Sequence, residues 1–241
     1  MCTVSFLSKG DQFFITSNRD EDVSRSVLYE PVEENINDTK LIYPKDPKAG
    51  GTWFAINDNG VVGVLLNGAF EKHIPTGRYA KSRGLILLDI VSASSPSFYL
   101  ETIDLTHIEP FTLVLFETTK LTEFRWDGDV KHHKELAKNE SYIWSSATLY
   151  TTKVMEVRKK LFHEFLDSEN VINARNIIDF HSNNNEDDEN GFVINRKNTL
   201  KTLSITQAIV YKDEIGLNHL DLLGDKEYFI SMATNQVSNK S

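Results

Sequence analysis

Four pairs of apolar segments, each joined by a short polar turn, constrain the fold more than any other feature of this sequence. In the first pair, segments rich in β-branched and aromatic residues flank Lys9-Gly10-Asp11, and in the second pair they flank Asp58-Asn59-Gly60. Two such segments around a short turn are typical of a β-hairpin. The predicted hairpins span residues 3–18, 51–67, 111–127 and 203–223.

Several predicted strands are apolar on both alternating faces. Val61 and Leu65 would lie on one face of their strand, and Val62 and Val64 on the other. Strands of this kind are covered on both sides. Apolar residues recur at helical spacing in segments that can supply the cover, at residues 81–93, 151–167 and 171–180. Two mainly antiparallel sheets with helices outside them predict an α+β fold, a four-layer αββα sandwich, as a single domain over residues 1–241.

The charge balance and the absence of a long apolar run narrow the range of partners. The chain has 26 Lys and Arg against 35 Asp and Glu, a formal net charge of −9, which disfavours binding to nucleic acid or anionic lipid. No segment reaches the roughly 20 apolar residues of a membrane span, and the first residues do not resemble a secretory signal. A single cysteine allows no internal disulfide. We therefore expect a cytoplasmic protein whose partners are small molecules or proteins, and whose oligomeric state the sequence leaves open.

Residues 181–191, with the sequence HSNNNEDDENG, are polar and acidic and lack any periodicity. This composition predicts an exposed, mobile loop. A calcium-binding loop is the alternative, but placing Gly191 at the sixth position of such a loop leaves Lys197 where the final glutamate belongs. We expect no metal site and no cofactor, since the chain also lacks the phosphate-binding loops of nucleotide-binding proteins.

A basic cluster follows the second predicted hairpin, at Lys72, His73, Arg78, Lys81 and Arg83. Cations grouped in this way can bind the carboxylate or phosphate of an anionic substrate. A solvated loop that leads into a helix has the same composition, so both interpretations stay open.

Cys2 follows the first methionine directly and is the only cysteine of the chain. Removal of Met1 would give this residue a free α-amine beside its thiol. An α-amine with a pKa of about 7.7 to 8.0 can accept the thiol proton at neutral pH, so a first-position cysteine needs no separate histidine. The sequence therefore predicts a nucleophile for acyl transfer at Cys2.

The predicted hairpins bring further polar residues to Cys2. If the first turn is centred near Gly10, Cys2 lies opposite Asn18 and next to Arg19 and Asp20. A register shift of one residue would put Arg19 in place of Asn18. The second hairpin similarly brings Gly51 beside Asn67, and glycine there permits close backbone approach by a ligand.

Each of these residues has a use in acyl transfer. Arg19 could lower the thiol pKa and hold a substrate carboxylate or carbonyl. Asp20 could orient the α-ammonium, and Asn67 could donate a hydrogen bond to a developing oxyanion. The alternative is a small buried cysteine, a surface ion pair between Arg19 and Asp20, and a turn residue at Asn67.

These motifs resemble the NRDE family, which is also described as transport-and-Golgi-organisation-two-like. The resemblance covers most of the chain. It rests on Met1-Cys2, Asn18-Arg19-Asp20-Glu21, the block from Pro47 to Trp53, Leu66-Asn67 and Trp144-Ser145-Ser146-Ala147, with a weaker match from Lys201 to Ile205.

The NRDE family is in turn similar to N-terminal-nucleophile hydrolases of the choloylglycine hydrolase and penicillin V acylase type. That similarity implies an αββα sandwich in which Cys2 is the nucleophile and Arg19, Asp20 and Asn67 complete the catalytic set. Adjacent Arg19 and Asp20 differ from the wider acylase spacing, which leaves the choice between Asp20 and Asp22 open. The remaining residues expected to bind substrate are Asn18, Gly51, Trp53, Ser146 in place of an acylase asparagine, and Lys201 in place of an acylase arginine.

The sequence thus favours an enzyme that cleaves the linear amide, or alternatively the thioester, of a small acylated substrate. The alternative is a binding or carrier protein that keeps the fold without turnover and holds a lipid-like or haem-like ligand. A purely structural interaction module would leave Cys2 and its polar neighbours without a role.

Overall fold

The computed structural model of the chain describes residues 3–25, 30–75, 77, 79–168 and 172–235. These residues form two seven-stranded sheets and four α-helices. None of the described helices is both long and apolar enough to cross a membrane.

The first sheet contains both ends of the described chain, and all its neighbouring strands are antiparallel. Its strands are β1 (Thr3–Lys9), β2 (Gln12–Asp22), β10 (Tyr142–Ser145), β11 (Asn195–Arg196), β12 (Leu200–Tyr211), β13 (Glu214–Asp221) and β14 (Lys226–Ala233). They are ordered β10-β1-β2-β12-β13-β14, and the short β11 pairs with β12. The strand β1 is therefore held from both sides, by β10 and by β2.

The second sheet is an antiparallel meander in which the strands follow one another in chain order. Its strands are β3 (Val32–Ile36), β4 (Thr39–Tyr43), β5 (Phe54–Asn57), β6 (Val62–Asn67), β7 (Phe111–Glu117), β8 (Lys120–Trp126) and β9 (Lys131–Leu136). Because β5, β6 and β7 are buried on both faces, they contribute side chains to two interfaces at once.

The helices lie outside the two sheets. They are α1 (Arg83–Val91), α2 (Pro96–Thr102), α3 (Thr152–Ser168) and α4 (Ala174–His181). Helix α1 packs closely on the second sheet, where a Cβ atom on Gly63 would lie 2.5 Å from Val91, and α2 packs beside α1. On the first sheet, Leu7 and Phe14 pack against Phe162 of α3 and Ile177 of α4. The arrangement is the predicted four-layer α+β sandwich.

Aromatic side chains fill the space between the two sheets. The Phe116 ring of β7 lies 5.9 Å from Phe6 of β1 and 4.9 Å from Phe13 of β2, measured between ring centroids. Burial of a large apolar side chain stabilises the fold by about 1.5–3 kcal/mol, so this interface is a major source of stability. It also fixes the spacing between the sheets.

The predicted hairpins and helices are all found, but several elements were not predicted. Strands β3 and β4 form a hairpin whose turn residues Asn37 and Asp38 both have positive φ, as a type I′ turn requires. Strand β9 is a polar edge strand without the apolar alternation that marks a strand in sequence. Strand β14 and helix α2 were also missed.

The register of the first hairpin differs by one residue from the prediction. Thr3, not Cys2, pairs with Asn18, because Lys9 pairs with Gln12 around a tight turn at Gly10-Asp11. Successive side chains of a strand point to opposite faces. The shift therefore changes which β2 side chain shares a face with each residue of β1.

The acidic segment at 181–191 is exposed along most of its length, as predicted, but its two ends are buried. His181 is the last residue of α4 and not a loop residue. Its Nδ1 is hydrogen-bonded to the Asn18 side-chain oxygen, and its Nε2 lies 2.7 Å from the Ser5 hydroxyl. Since the Asn18 oxygen only accepts, Nδ1 carries the proton and Nε2 accepts from Ser5. Gly191 packs so tightly that a Cβ atom would lie 1.9 Å from the Asn184 carbonyl oxygen.

A buried arginine of α3 joins the end of this acidic segment to the start of β1. The Arg158 side chain is 1% exposed and donates to the Thr3 hydroxyl and to the carbonyls of Asn190 (3.1 Å) and Gly191. Its guanidinium also stacks on Tyr150, 3.6 Å from the ring centroid. Arg158 therefore satisfies two backbone carbonyls and fixes the first described residue of β1.

We predict that Arg158→Met destabilises the protein by about 3 kcal/mol or more, because it leaves buried acceptors without a donor. Arg158→Lys should have a smaller effect, since one ammonium can replace part of the network. Urea unfolding followed by tryptophan fluorescence measures both changes. Arg175→Met is the control, because the Arg175 side chain is 70% exposed on α4. Equal losses for Arg158→Met and Arg175→Met would contradict the assigned role.

We also predict that His181 makes the protein less stable in acid. Burial, and secondarily the positive charge of Arg158, lower the His181 pKa from 6.5 to about 3. Below about pH 6.5 the unfolded chain binds a proton that the folded protein excludes. As the pH falls from about 6.5 to about 3, the free energy of unfolding therefore decreases by up to about 1.4 kcal/mol per pH unit.

A His181→Gln variant should have lower stability at neutral pH but a shallower decline with acid. Urea unfolding over this pH range is the measurement, and His163→Gln, at an exposed position of α3, is the control. Burial also lowers the pKa of His219, to about 4. His219 therefore makes the same contribution to the pH dependence of the free energy of unfolding in all three proteins. A His181→Gln slope identical to that of the wild type would refute the prediction.

Candidate active site

A cleft of about 600 Å³ lies beside the ends of β2 and β6 and the start of α1. Four basic and three acidic side chains line it, together with Trp53, Asn67 and glycine backbone. The volume is that of an ordinary small-molecule site. The cleft is thus polar, and it is bounded by both sheets and one helix N-terminus.

Arg19 enters the cleft from β2. Its guanidinium stacks on Trp53, 4.4 Å from the ring centroid, and donates to Asp46 over 3.4 Å. Glu21 lies 3.9 Å away. Burial lowers the Arg19 pKa, while Glu21 and Asp46 act in the opposite direction. Arg19 is therefore a partly desolvated cation, and the distances from its guanidinium to the neighbouring carboxylates are long.

Two glycines allow α1 to approach the segment before β5. A Cβ atom on Gly51 would lie 2.3 Å from the Gly84 carbonyl carbon, so neither backbone has room for a side chain. Thr52 N–H donates to the Gly84 carbonyl over 3.2 Å in the same contact. Ser82 caps α1 by accepting from Leu85 N–H. The close packing brings the first turn of α1 to the wall of the cleft.

Asn67 and Ser146 meet where β6 and β10 end. The Ser146 hydroxyl donates to the Asn67 carbonyl over 2.8 Å and lies 2.9 Å from the Thr148 hydroxyl. Ser146 is 1% exposed, so it supports the end of β6, while the Asn67 side chain lines the cleft. Gly51 lines the same cleft, and its predicted position directly beside Asn67 stays a prediction.

Asp20 lies on the opposite face of β2 from Arg19. Its carboxylate accepts from Tyr150 over 2.9 Å and from Thr202 over 2.5 Å, and it is 2% exposed. The β12 strand is irregular next to it, between Thr202 and Ser204. Asp22 is exposed and accepts from Ser24 N–H. Of the two candidate carboxylates, Asp20 is the one fixed within the fold.

Three of the predicted substrate-binding residues do not line the cleft, namely Ser146, described above, and Asn18 and Lys201. Asn18 lies under α4 and donates to the carbonyls of His181 (2.9 Å) and Phe192 (3.0 Å). Lys201 is half-buried on β12, paired with Glu21 in the ladder. Their predicted contact with a substrate therefore remains a prediction.

Cys2, the predicted nucleophile, lies outside the described residues, as does Arg78 of the basic cluster. The structure brings Arg19, Gly51, Trp53 and Asn67 to one cleft. Ser146 lies directly behind Asn67.

The sequence analysis missed four side chains of the cleft, Glu21, Arg25, Asp46 and Glu109. Asp46 accepts from Arg25 over 2.8 Å and from Arg19, which links the segment before β5 to β2. Pairing between residues so far apart in sequence leaves no local pattern. Among the described residues, no group of three or more His, Cys, Asp and Glu is placed to hold a metal ion.

Comparison with solved structures identifies the fold. An N-acylethanolamine-hydrolyzing acid amidase ortholog from Caenorhabditis elegans superposes with a TM-score of 0.63 at 10% identity, over 86% of this chain and 92% of that chain. An arginine-to-leucine variant of conjugated bile acid hydrolase from Clostridium perfringens gives a TM-score of 0.54 at 10% identity, over 97% of each chain. A cysteine-to-alanine variant of the same hydrolase gives 0.50 at 11% identity, over 98% of this chain and 97% of that one.

No curated protein matches the sequence. The sequence profile of the family described as Transport and Golgi organisation 2 matches residues 1–215, most of the chain. The chain therefore belongs to the Transport and Golgi organisation 2 family, and it has the α+β fold of the N-terminal-nucleophile hydrolases.

Proposed function

We propose that this protein is a cysteine N-terminal-nucleophile hydrolase that cleaves the linear amide bond of a small acylated substrate. Removal of Met1 would expose the α-amine of Cys2. The proposal combines a fold that is shared with amidases and a cleft of suitable volume with the chemistry of an N-terminal cysteine.

The strand pairing of Thr3 is the observation that carries the proposal. Thr3 pairs with Asn18 of β2 on one side and with Ser145 of β10 on the other. The residues that follow these two partners in the chain are Arg19, in the cleft, and Ser146, behind Asn67. Directly opposed residues of antiparallel strands share a face, and Arg19 faces the cleft. The start of β1 thus lies beside the cleft, and we propose that Cys2, the residue before it in the chain, supplies the nucleophile there.

In the proposed reaction, the α-amine takes the thiol proton and the thiolate adds to the substrate carbonyl carbon. The tetrahedral oxyanion collapses as the C–N bond breaks, and the α-ammonium gives its proton to the departing amine. Water then adds to the thioester, with the α-amine as base, and releases a carboxylic acid and the free thiol. The α-amine is thus the base and the acid of both half-reactions.

The described residues supply the supporting roles. The Asn67 amide would donate to the oxyanion, a contribution worth about 10²–10³ in rate at comparable sites. Arg19 would stabilise the thiolate through its charge. Asp20, fixed by Tyr150 and Thr202, would orient the α-ammonium from the other face of β2.

The competing function is a carrier of a lipid-like or haem-like ligand. Seven charged side chains line the cleft, and each would lose hydration against a large apolar ligand. The hydrolase therefore agrees better with the chemistry of the cleft than the carrier does.

We predict that mature wild-type protein forms a covalent acyl adduct at Cys2 with a panel of small acyl amides and thioesters, and that Cys2→Ala forms none. Intact-mass spectrometry measures both Met1 removal and the adduct. Turnover in Cys2→Ala should fall at least about a thousandfold, because loss of the nucleophile removes the covalent route. Retention of Met1 in the wild type, or unchanged turnover in Cys2→Ala, would exclude this mechanism.

A second prediction separates the α-amine from the thiol. A variant with an extra N-terminal glycine before Cys2 keeps the thiol but displaces the amine by one residue. Turnover should be lost, and the Cys2 thiol, which keeps only Arg19 to stabilise its thiolate, should titrate closer to the ordinary value of about 8.5 when labelled with iodoacetamide. In the unextended protein, labelling should titrate below that value. The same labelling profile with and without the extension would argue against activation by the amine.

A further inference from the structure

The carboxylates in the wall of the cleft are already engaged by donors of the protein. Its three carboxylates are Glu21, Asp46 and Glu109, and each already accepts from protein donors. Asp46 accepts from Arg19, Arg25 and two backbone N–H groups of the segment that follows it. Glu109 contacts Arg83 over 2.9 Å and His73 over 3.0 Å. Glu21 accepts from Arg25 over 3.2 Å and from Asp22 N–H.

Two donors of the same wall have no acceptor among the described residues. Trp53 is 6% exposed, and its indole Nε1–H is buried without a partner. The Nε–H of Arg25 is also buried without a partner. An unmade hydrogen bond of this kind costs about 1–3 kcal/mol, so a ligand whose binding turns these side chains towards its oxygen acceptors would recover it. Neither group can accept a hydrogen bond, so the ligand atoms that contact them must be hydrogen-bond acceptors.

The first turn of α1 adds a positive end to the same cleft. Residues from the N-cap Ser82 to Leu85 line the cleft, and α1 has nine residues. A helix N-terminus carries about half a positive charge and exposed N–H groups, which favour an anion. It lies in the same wall as Trp53 because Gly51 and Gly84 allow the close approach.

We infer that this cleft binds the carboxylate of a small anionic amide substrate, away from the bond that is cleaved. The inference rests on the proposed function, which supplies the cleaved amide bond. It adds the chemical class of the rest of the substrate. Lys81 is paired with Asp89, so the cations of the lining are balanced within the protein, and the unpaired donors of Trp53 and Arg25 account for the preference for a carboxylate. A long hydrocarbon chain would leave Trp53 Nε1 and Arg25 Nε unpaired.

Binding to the Cys2→Ala protein tests this site without turnover. The probes are glutaric acid monoanilide, its neutral primary-amide counterpart of the same shape, and decanoic anilide, each titrated by calorimetry. The carboxylate probe should bind at least about tenfold tighter than its neutral counterpart, as one charge-assisted hydrogen bond predicts. Added salt should reduce that preference. Equal binding of the matched pair, tighter binding of decanoic anilide, or no binding by any probe would overturn the inference.

Two variants locate the carboxylate. Trp53→Phe removes the indole donor and keeps an aromatic ring, and Arg25→Gln removes the second donor, so each should reduce the preference severalfold. Arg175→Gln is the matched control, because it removes one positive charge from an exposed position of α4 and should keep the preference. A preference unchanged in both cleft variants would contradict the assigned location.

The same probes distinguish the inference from the proposed function. Carboxylate-selective binding to Cys2→Ala, with no adduct on mature wild-type protein, would refute the nucleophile and leave the binding site standing. An adduct that forms equally with the charged and neutral probes would support the nucleophile and refute the carboxylate site.

Discussion

The fold depends on strand β1 being held between β2 and β10 with both of its faces covered. Water cannot reach the polar groups at its start, so the protein itself must satisfy them. Arg158 meets this requirement from α3 by bonding to Thr3 and to two carbonyls of the acidic segment. His181 meets it from α4, between Ser5 and Asn18. These contacts position the strand that leads to Cys2.

The alternation of side chains along β2 divides one short motif between two environments. Arg19 points into the cleft between the sheets, where it contacts Trp53 and Asp46. Asn18 and Asp20 point the other way and are fixed by His181, Tyr150 and Thr202. Neighbouring residues of one motif therefore have different surroundings, since one lines the cleft and the others fix the geometry of the strand.

The cleft differs from an apolar lipid pocket in the way its charges are arranged. Its carboxylates are used by protein donors, while buried donors of Trp53 and Arg25 have no partner in the part of the chain that the structure describes. The relatives in fold have names that refer to N-acylethanolamines and conjugated bile acids. Proteins that share a fold at about 10% identity have the same architecture, whereas the side chains that line the cleft decide which ligand binds.

The sequence by itself determined the four central hairpins, the three longer amphipathic helical segments and the layered α+β class, because these depend on local periodicity and turn residues. It also identified Arg19, Gly51, Trp53 and Asn67, which the structure brings to one cleft. Only the tertiary structure decided the register that pairs Thr3 with Asn18, since β2 is buried on both faces and its apolar pattern alone does not distinguish the two registers.

Tertiary packing also decided which polar residues act together. Asp46 joins Arg19 and Arg25, and Arg158 bonds to Thr3. In each case the partners come from distant parts of the chain, so no local signal links them. Their pairing follows from the need to satisfy buried charge once the sheets and helices have packed.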